Sequence, residues 1–336
     1  MINFPKVLLH DHLDGGLRPE TIIEIADEIG YQKLPTTNAL ELAHWFEQAC
    51  SSGSLERYLE TFDHTIAVMQ RTEDLIRVAK ECVIDLADDG VIYAEVRVAP
   101  EHFTKEGLNL EEVVTAMLEG YRQGELKCGL RVNAILCGMR NANQSQAVAE
   151  LAVKYRDKGI VGFDIAGPEN GFPPTLQLDT FEYLQSEQMP YTIHAGEAAG
   201  PDSIDLAINN CRANRLGHGV TILQDVPNGR IAKQVLDEQI HLEIAPTSNL
   251  QTGIANSYSA HPINKLLELG FNLGVNTDNR LMSRTSTSNE FAQLTATYGW
   301  GVAEFKKVTL NAMGAAFIED KAPLLAKIGA AFDQLQ

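Results

Sequence analysis

Short apolar runs alternate with amphipathic stretches along this chain, and the alternation itself predicts most of its elements. Val7 to Leu9 is an apolar run that reads as a buried strand. Alternate side chains of a strand share a face, so His10, His12 and Asp14 are expected to point the same way. Pro19 then opens a helix in which Ile22, Ile25, Ala26 and Ile29 fall at helical spacing, and Gly30 closes it. Residues 34–70 show no strand pattern, and Leu55, Tyr58, Leu59, Phe62, Ile66 and Met69 form an apolar stripe on a helix. Such stripes are usually core. This one separates strand one from strand two by far more than a connection needs, and it predicts a helical insertion over a pocket mouth.

A long helix follows, with Leu75, Val78, Ala79, Cys82 and Leu86 on one side and Gly90 at its end. Val91 to Ala99 is continuous enough for a parallel buried strand, although Glu95 and Arg97 interrupt it. Those two charges share a face and are expected to pair or to line a cavity. Further strands are predicted at Leu130 to Cys137, Ile160 to Ile165, Pro190 to His194, Arg215 to His218, His241 to Ala245 and Phe271 to Val275, which makes eight. Amphipathic segments such as Ile204 to Ile208, Ile231 to Leu236 and Ile263 to Leu269 lie between them. Eight strands each followed by a helix predict an α/β fold, a (β/α)₈ TIM barrel, with the insertion after strand 1 and C-terminal helices from about Asn311 packing on it. No linker, low-complexity tract or repeat divides residues 1–336, so one barrel domain is expected.

Composition narrows the function classes. The formal charge of −18 is the wrong sign for tracking a phosphate backbone, and no basic stripe with interleaved aromatics is present, so nucleic acid is not an expected partner. No segment approaches the roughly 18 apolar residues of a membrane span, and Met1 to Leu9 lacks a signal-peptide core. The five cysteines, Cys50, Cys82, Cys128, Cys137 and Cys211, are odd in number and widely spaced. They fit a reducing compartment, with the cytoplasm the expected address, rather than a disulfide framework. No Cys-x-x-Cys pair occurs, which excludes the zinc signature of cytidine-type deaminases. Nothing in the chain sets an oligomeric state.

In such barrels the C-terminal ends of the strands carry chemistry. Strand one ends in His10, His12 and Asp14, the fourth in Asp164-Ile165-Ala166-Gly167, the fifth in His194-Ala195-Gly196-Glu197, the sixth in His218-Gly219 and the eighth in Asn276-Thr277-Asp278-Asn279. An isolated His-x-His means little, and His194 or His218 alone would pass as structural. Together they gather titratable groups at one rim. His10, His12, His194 and Asp278 supply three nitrogens and one oxygen, a set that suits one zinc ion and leaves room for water. Glu197, three residues past a ligand, is close enough to act on a substrate without binding metal, and His218 is placed to hold or deprotonate the water. These are the parts for hydrolysis: a cation that lowers the pKa of water to about 7, a base and a separate acid.

The segments His-Asp-His-Leu-Asp-Gly-Gly at 10–16, His-Ala-Gly-Glu at 194–197, Leu-Gly-His-Gly at 216–219 and Asn-Thr-Asp at 276–278 resemble, in order, those of the adenosine deaminases of the metal-dependent amidohydrolase superfamily. The resemblance runs from residue 7 to beyond 279. It implies zinc on His10, His12, His194 and Asp278, with Asp278 also accepting a hydrogen bond from the attacking water. It implies that Glu197 protonates purine N1 and makes C6 electrophilic, that His218 orients or deprotonates the water, and that ammonia leaves. Gly167 would direct a backbone N–H to the purine, Asp14 would bind the ribose hydroxyl, and Leu55, Tyr58, Leu59 and Phe62 would form the apolar lid. One position departs: Asn279 stands where most of the family has a second aspartate, whose carboxyl must hold a proton to donate to purine N7. An amide donates at any pH, so Asn279→Asp is expected to keep activity and add an acidic-to-neutral pH dependence, and an unchanged pH profile would contradict that expectation.

The implied activity is deamination of adenosine and 2′-deoxyadenosine to inosine and 2′-deoxyinosine in purine salvage. Related barrels deaminate free adenine or other 6-aminopurines, but those tend to carry Glu where Asp14 stands. A binuclear amidohydrolase would want a lysine at the end of strand four, and Lys158 lies at the wrong end. A non-catalytic zinc-containing purine-binding protein would need neither Glu197 nor His218. The acidic chain would steer anionic nucleotides poorly, which favours uncharged nucleosides.

Overall fold

A computed structural model describes residues 4–335; Met1 to Asn3, within the stretch read above for a leader, lie outside it. Eight strands appear in the expected order: β1 Lys6–His12, β2 Val91–Val98, β3 Val132–Met139, β4 Ile160–Ala166, β5 Thr192–Ala195, β6 Arg215–His218, β7 His241–Ile244 and β8 Leu273–Val275. Neighbours run parallel as β1-β2-β3-β4 and β5-β6-β7-β8. Single bridges, Phe163 with Tyr191 and Asp11 with Asp278, join the two sets into a closed ring. The second seam is reinforced by His12 N–H donating to Asp278 O (2.7 Å) and Asp278 N–H to His10 O (2.9 Å), so the barrel closes where the predicted ligands lie.

The helices cover this ring because each buries one apolar stripe against it. Thr72–Asp88 and Leu110–Cys128 pack against each other closely enough that a Cβ at Gly120 would fall 2.4 Å from Ile76 O, and one at Gly124 2.5 Å from Val83 Cβ. Asn109 and Glu112 cap the second of these reciprocally. The C-terminal helices Val302–Ala315 and Ala322–Asp333 close the bottom, where Phe305 stacks on Phe291 at 4.3 Å and Phe332 on Phe4 at 5.5 Å.

Several details depart from the expectation. The stripe from Leu55 to Met69 lies on two short helices, Leu55–Glu60 and Asp63–Ala67, rather than one. Ser54 caps the first, and the Thr61 hydroxyl donates to Tyr58 O at 2.7 Å, which spends an acceptor at that helix end. Ile204 to Ile208 straddles the end of the helix Pro201–Asp205 and a wider turn, Leu206–Asn210, closed by Cys211 N–H on Leu206 O at 3.0 Å. Asp14 is not on the strand at all. It sits in the tight turn Leu13–Gly15 and arrives at the rim by the turn rather than by strand alternation.

Glu95 and Arg97 neither pair with each other nor line an open cavity. Both are fully buried inside the barrel, where partners come from other strands. Arg97 donates to Asp164 (2.6 Å), to Glu243 and to Leu9 O (2.8 Å). Arg215 meets Glu95 and Glu243 at 2.7 Å each. The strands read as apolar because only one residue per turn of the pleat enters this charged layer.

Candidate active site

β1 delivers His10 and His12, β5 His194, β6 His218, and the turn after β8 Asp278, all to the C-terminal mouth. Two of these residues hold a left-handed backbone, His218 at φ 62° and Asp278 at φ 57°. Residues with a Cβ rarely stay there unless their surroundings insist, and such positions concentrate at functional sites. Gly217 makes the neighbouring space: a Cβ there would lie 3.2 Å from the His194 ring and 3.3 Å from that of His10.

One ligand-capable atom each from His10, His194, His218 and Asp278 lies within 4.8 Å of the others. His12 joins from one side, its Nε2 3.3 Å from His194 Nε2 and 3.4 Å from Asp278 Oδ1. His10 Nε2 stands 3.2 Å from the same oxygen. All five rim residues therefore meet, while Asp14, Gly167, Glu197 and Asn279 line the cavity of about 270 Å³ above them. Leu55, Tyr58, Leu59 and Phe62 form its apolar wall.

The charged layer below orients this cluster. His10 Nδ1 lies 3.1 Å from Glu243 Oε2, and His194 Nδ1 2.8 Å from Asp164 Oδ2. Ionised carboxylates only accept, so each Nδ1 carries the hydrogen and, in the neutral ring, Nε2 turns a lone pair to the centre. Bare nitrogens and a carboxylate oxygen facing one another are acceptors without a donor, a deficit that a cation relieves. The donor set thus fits a divalent metal.

Proton affinities follow the same logic. Burial and the Arg97 charge disfavour a proton on His10, yet the carboxylates of Asp278 and Glu243 beside its ring raise its pKa above the ordinary histidine value, which marks the centre as short of positive charge. Burial opposes ionisation of Asp278 as well, but the nearby His10 ring and the other imidazoles hold its carboxyl well below the usual range. Asp164 is held at about 2 by His194 and Arg97 against the cost of burial. Glu197 goes the other way: burial first, then the charges of Asp278 and Glu169, push it well above the ordinary value. Burial, with Asp278 and Asp11 adding to it, lifts Asp14 to about 7. His218 is kept neutral by burial and by the other rim histidines.

Positioning groups that carried no signal in the sequence complete the site. The Glu169 carboxylate accepts backbone N–H bonds from Gly196 (2.6 Å), Glu197 (3.1 Å), Ala198 and Ala199 (3.0 Å), which clamps the turn that presents Glu197. Ser248 Oγ donates to Asp278 Oδ2 at 2.6 Å, and Asn249 Nδ2 lies 3.1 Å from His218 Nδ1. Asp164 was visible only as the end of a strand and Glu243 not at all, and Ser248 and Asn249 are neutral residues in the short helix Pro246–Gln251 after β7 and gave no pattern. Glu197 Oε2 reaches 3.5 Å from His218 Nε2, and its Oε1 and Asn279 Oδ1 have no hydrogen-bond partner.

Comparison with known proteins decides the family. The adenosine deaminase family model matches residues 5–330. The chain belongs to the adenosine deaminase family. An adenosine deaminase of Streptomyces coelicolor is 56% identical over 94% of this chain and 83% of its own length. One of Mycobacterium marinum is 52% identical over 94% and 90%. The solved adenine deaminase of Arthrobacter aurescens, 24% identical, superposes with a TM-score of 0.86 over 97% of this chain and 98% of that one, which establishes the shared fold. For an adenosine deaminase family member, a cluster of inward-facing His and Asp acceptors suggests a metal cofactor. Among the described residues no helix is long and apolar enough to cross a membrane.

Proposed function

We propose that this chain is a zinc-dependent adenosine deaminase that hydrolyses the C6 amino group of adenosine and 2′-deoxyadenosine, giving inosine or 2′-deoxyinosine and ammonia. The observation that carries the reading is the meeting of three histidine nitrogens and the Asp278 oxygen beside a carboxyl, Glu197, whose pKa burial raises. His10, His12, His194 and Asp278 would hold one zinc per chain. The ion would supply a positive charge and a water of lowered pKa. Glu197, whose hold on a proton is strengthened by burial, donates to purine N1 and draws electrons from C6. His218, beside Glu197, orients the attacking water, and Asp278 accepts a hydrogen bond from it.

Asp14 takes the ribose hydroxyl, a backbone N–H at Gly167 and the Asn279 amide hold the purine edge, and Leu55, Tyr58, Leu59 and Phe62 act as the lid. The cavity of about 270 Å³ suits a ligand of nucleoside size. One barrel domain spanning the chain is part of the proposal, supported by a family match over residues 5–330. The five unpaired cysteines support a reducing, cytoplasmic setting.

Loss of ultraviolet absorbance tests the reading with adenosine, 2′-deoxyadenosine and adenine side by side. The proposal expects turnover of both nucleosides, little turnover of adenine and none by a Glu197→Gln variant that retains its metal. Preferential turnover of adenine would move the activity to the free base. A metal-loaded protein that binds adenosine without converting it would make the chain a binding protein instead.

A further inference from the structure

What His218 can do to a water depends on which ring nitrogen bears the hydrogen, and the residues behind the ring settle that. The Ile263 backbone N–H can only donate, and it reaches His261 Nδ1 at 3.1 Å. A neutral His261 therefore carries its hydrogen on Nε2. Burial lowers this imidazole to about 3, so it stays neutral at any working pH. Its Nε2 lies 3.3 Å from Asn249 Oδ1, which accepts, and this orients the amide with Nδ2 at 3.1 Å from His218 Nδ1.

An amide NH₂ has hydrogens and no lone pair to offer, so His218 Nδ1 must accept and the hydrogen of the neutral ring sits on Nε2. All three side chains are buried, with Asn249 at 0%, His218 at 1% and His261 at 3% exposure, which leaves little room for water to substitute for any link. The contrast with the other rim histidines is chemical. His10 and His194 meet carboxylates at Nδ1 and turn a lone pair inward, whereas His218 meets an amide there and turns an N–H inward.

We propose that the Ile263, His261 and Asn249 relay locks His218 in its Nε2–H form, so that His218 donates a hydrogen bond to the attacking water and takes neither a metal ligand's place nor the water's proton. Asn249 and His261 are thereby positioning residues. The assignment rests on the proposed deaminase reading for its consequence in catalysis, but the tautomer itself does not.

The direct test is multiple-bond ¹H–¹⁵N correlation on the ¹⁵N-histidine-labelled full chain, with and without added zinc, the His218 signals being identified by their loss in His218→Asn. The relay expects a protonated Nε2 and a bare Nδ1 for His218, in both conditions, and the reverse pattern for His10 and His194. A His218 ring protonated at Nδ1, or averaging between the two forms, would overturn it. In kinetics, His261→Leu frees the Asn249 amide to turn over and should lower kcat on the order of 100-fold. His261→Gln, whose amide can accept from Ile263 and donate to Asn249, should restore most of that loss. Equal rates for the Leu variant and the native chain would remove the positioning role. Undiminished turnover by His218→Asn would remove His218 from the reaction, no turnover of adenosine by the native metal-loaded chain would defeat the deaminase reading, and the wrong tautomer in an active enzyme would defeat only the relay.

Discussion

Two buried polar layers are stacked along the axis of one barrel, and they are finished in opposite ways. In the lower layer Arg97 and Arg215 are matched against Glu95, Asp164 and Glu243, and each charge meets its complement. In the upper layer His10, His12, His194 and Asp278 face one another as acceptors, and Glu197 cannot ionise without cost. The lower layer holds guanidiniums and carboxylates in contact with one another and so contributes order. The upper layer is left short of positive charge and so contributes binding and chemistry. They are joined where Glu243 meets His10 and where Asp164 meets both the ring and the backbone N–H of His194, and through these contacts the rigid layer aims the reactive one.

The largest effect that separates the layers is expected at Glu197. Glu197→Gln should lower kcat by about 10³-fold with the melting temperature and metal content unchanged. The sign of the pH dependence follows from the raised carboxyl: Glu197 is a competent acid below its folded pKa, and turnover falls as pH rises through it. A rate that rises steadily through the same range would reverse the assignment. Arg97→Met attacks the lower layer instead. It strands Asp164 and Glu243 in the interior and should destabilise the fold by about 3–5 kcal/mol, read by denaturant titration.

The join between the layers is probed by Asp164→Asn, which keeps the shape but weakens the hold on His194 Nδ1. Metal affinity should fall about 10–100-fold while the fold persists, as measured by chelator competition. At the periphery, Leu59→Ala trims the half-buried wall of the cavity and should raise KM by no more than about 10-fold, with kcat nearly intact. A larger fall in kcat than in affinity there would mean that the wall takes part in more than holding the ligand.

The upper layer was legible in the sequence because its residues are titratable and sit at strand ends, so that position and chemistry coincided. The ring of strands was legible for a related reason: buried parallel strands need unbroken apolar runs, and β6 spans the same residues, Arg215 to His218, that its pattern indicated. The lower layer was only half visible. Glu95 and Arg97 stood out as charges in an apolar run, but their partners come from β4, β6 and β7, and no local pattern names them. Asn249 and His261 were invisible because their roles are set by which ring nitrogen the Ile263 backbone N–H touches, which no residue pattern records. The break between Glu60 and Asp63 was missed because neither Gly nor Pro marks it, and a side-chain hydroxyl does the work.

The account rests on the upper layer being a receptor for one divalent ion. Elemental analysis of the purified chain, before and after dialysis against a strong chelator and after zinc is returned, tests this most directly when adenosine turnover is followed in the same samples. The account predicts one zinc per chain, turnover lost with the ion and regained with it, and no retention of zinc by His194→Ala. Full turnover by metal-free protein, or zinc held equally well without His194, would contradict it.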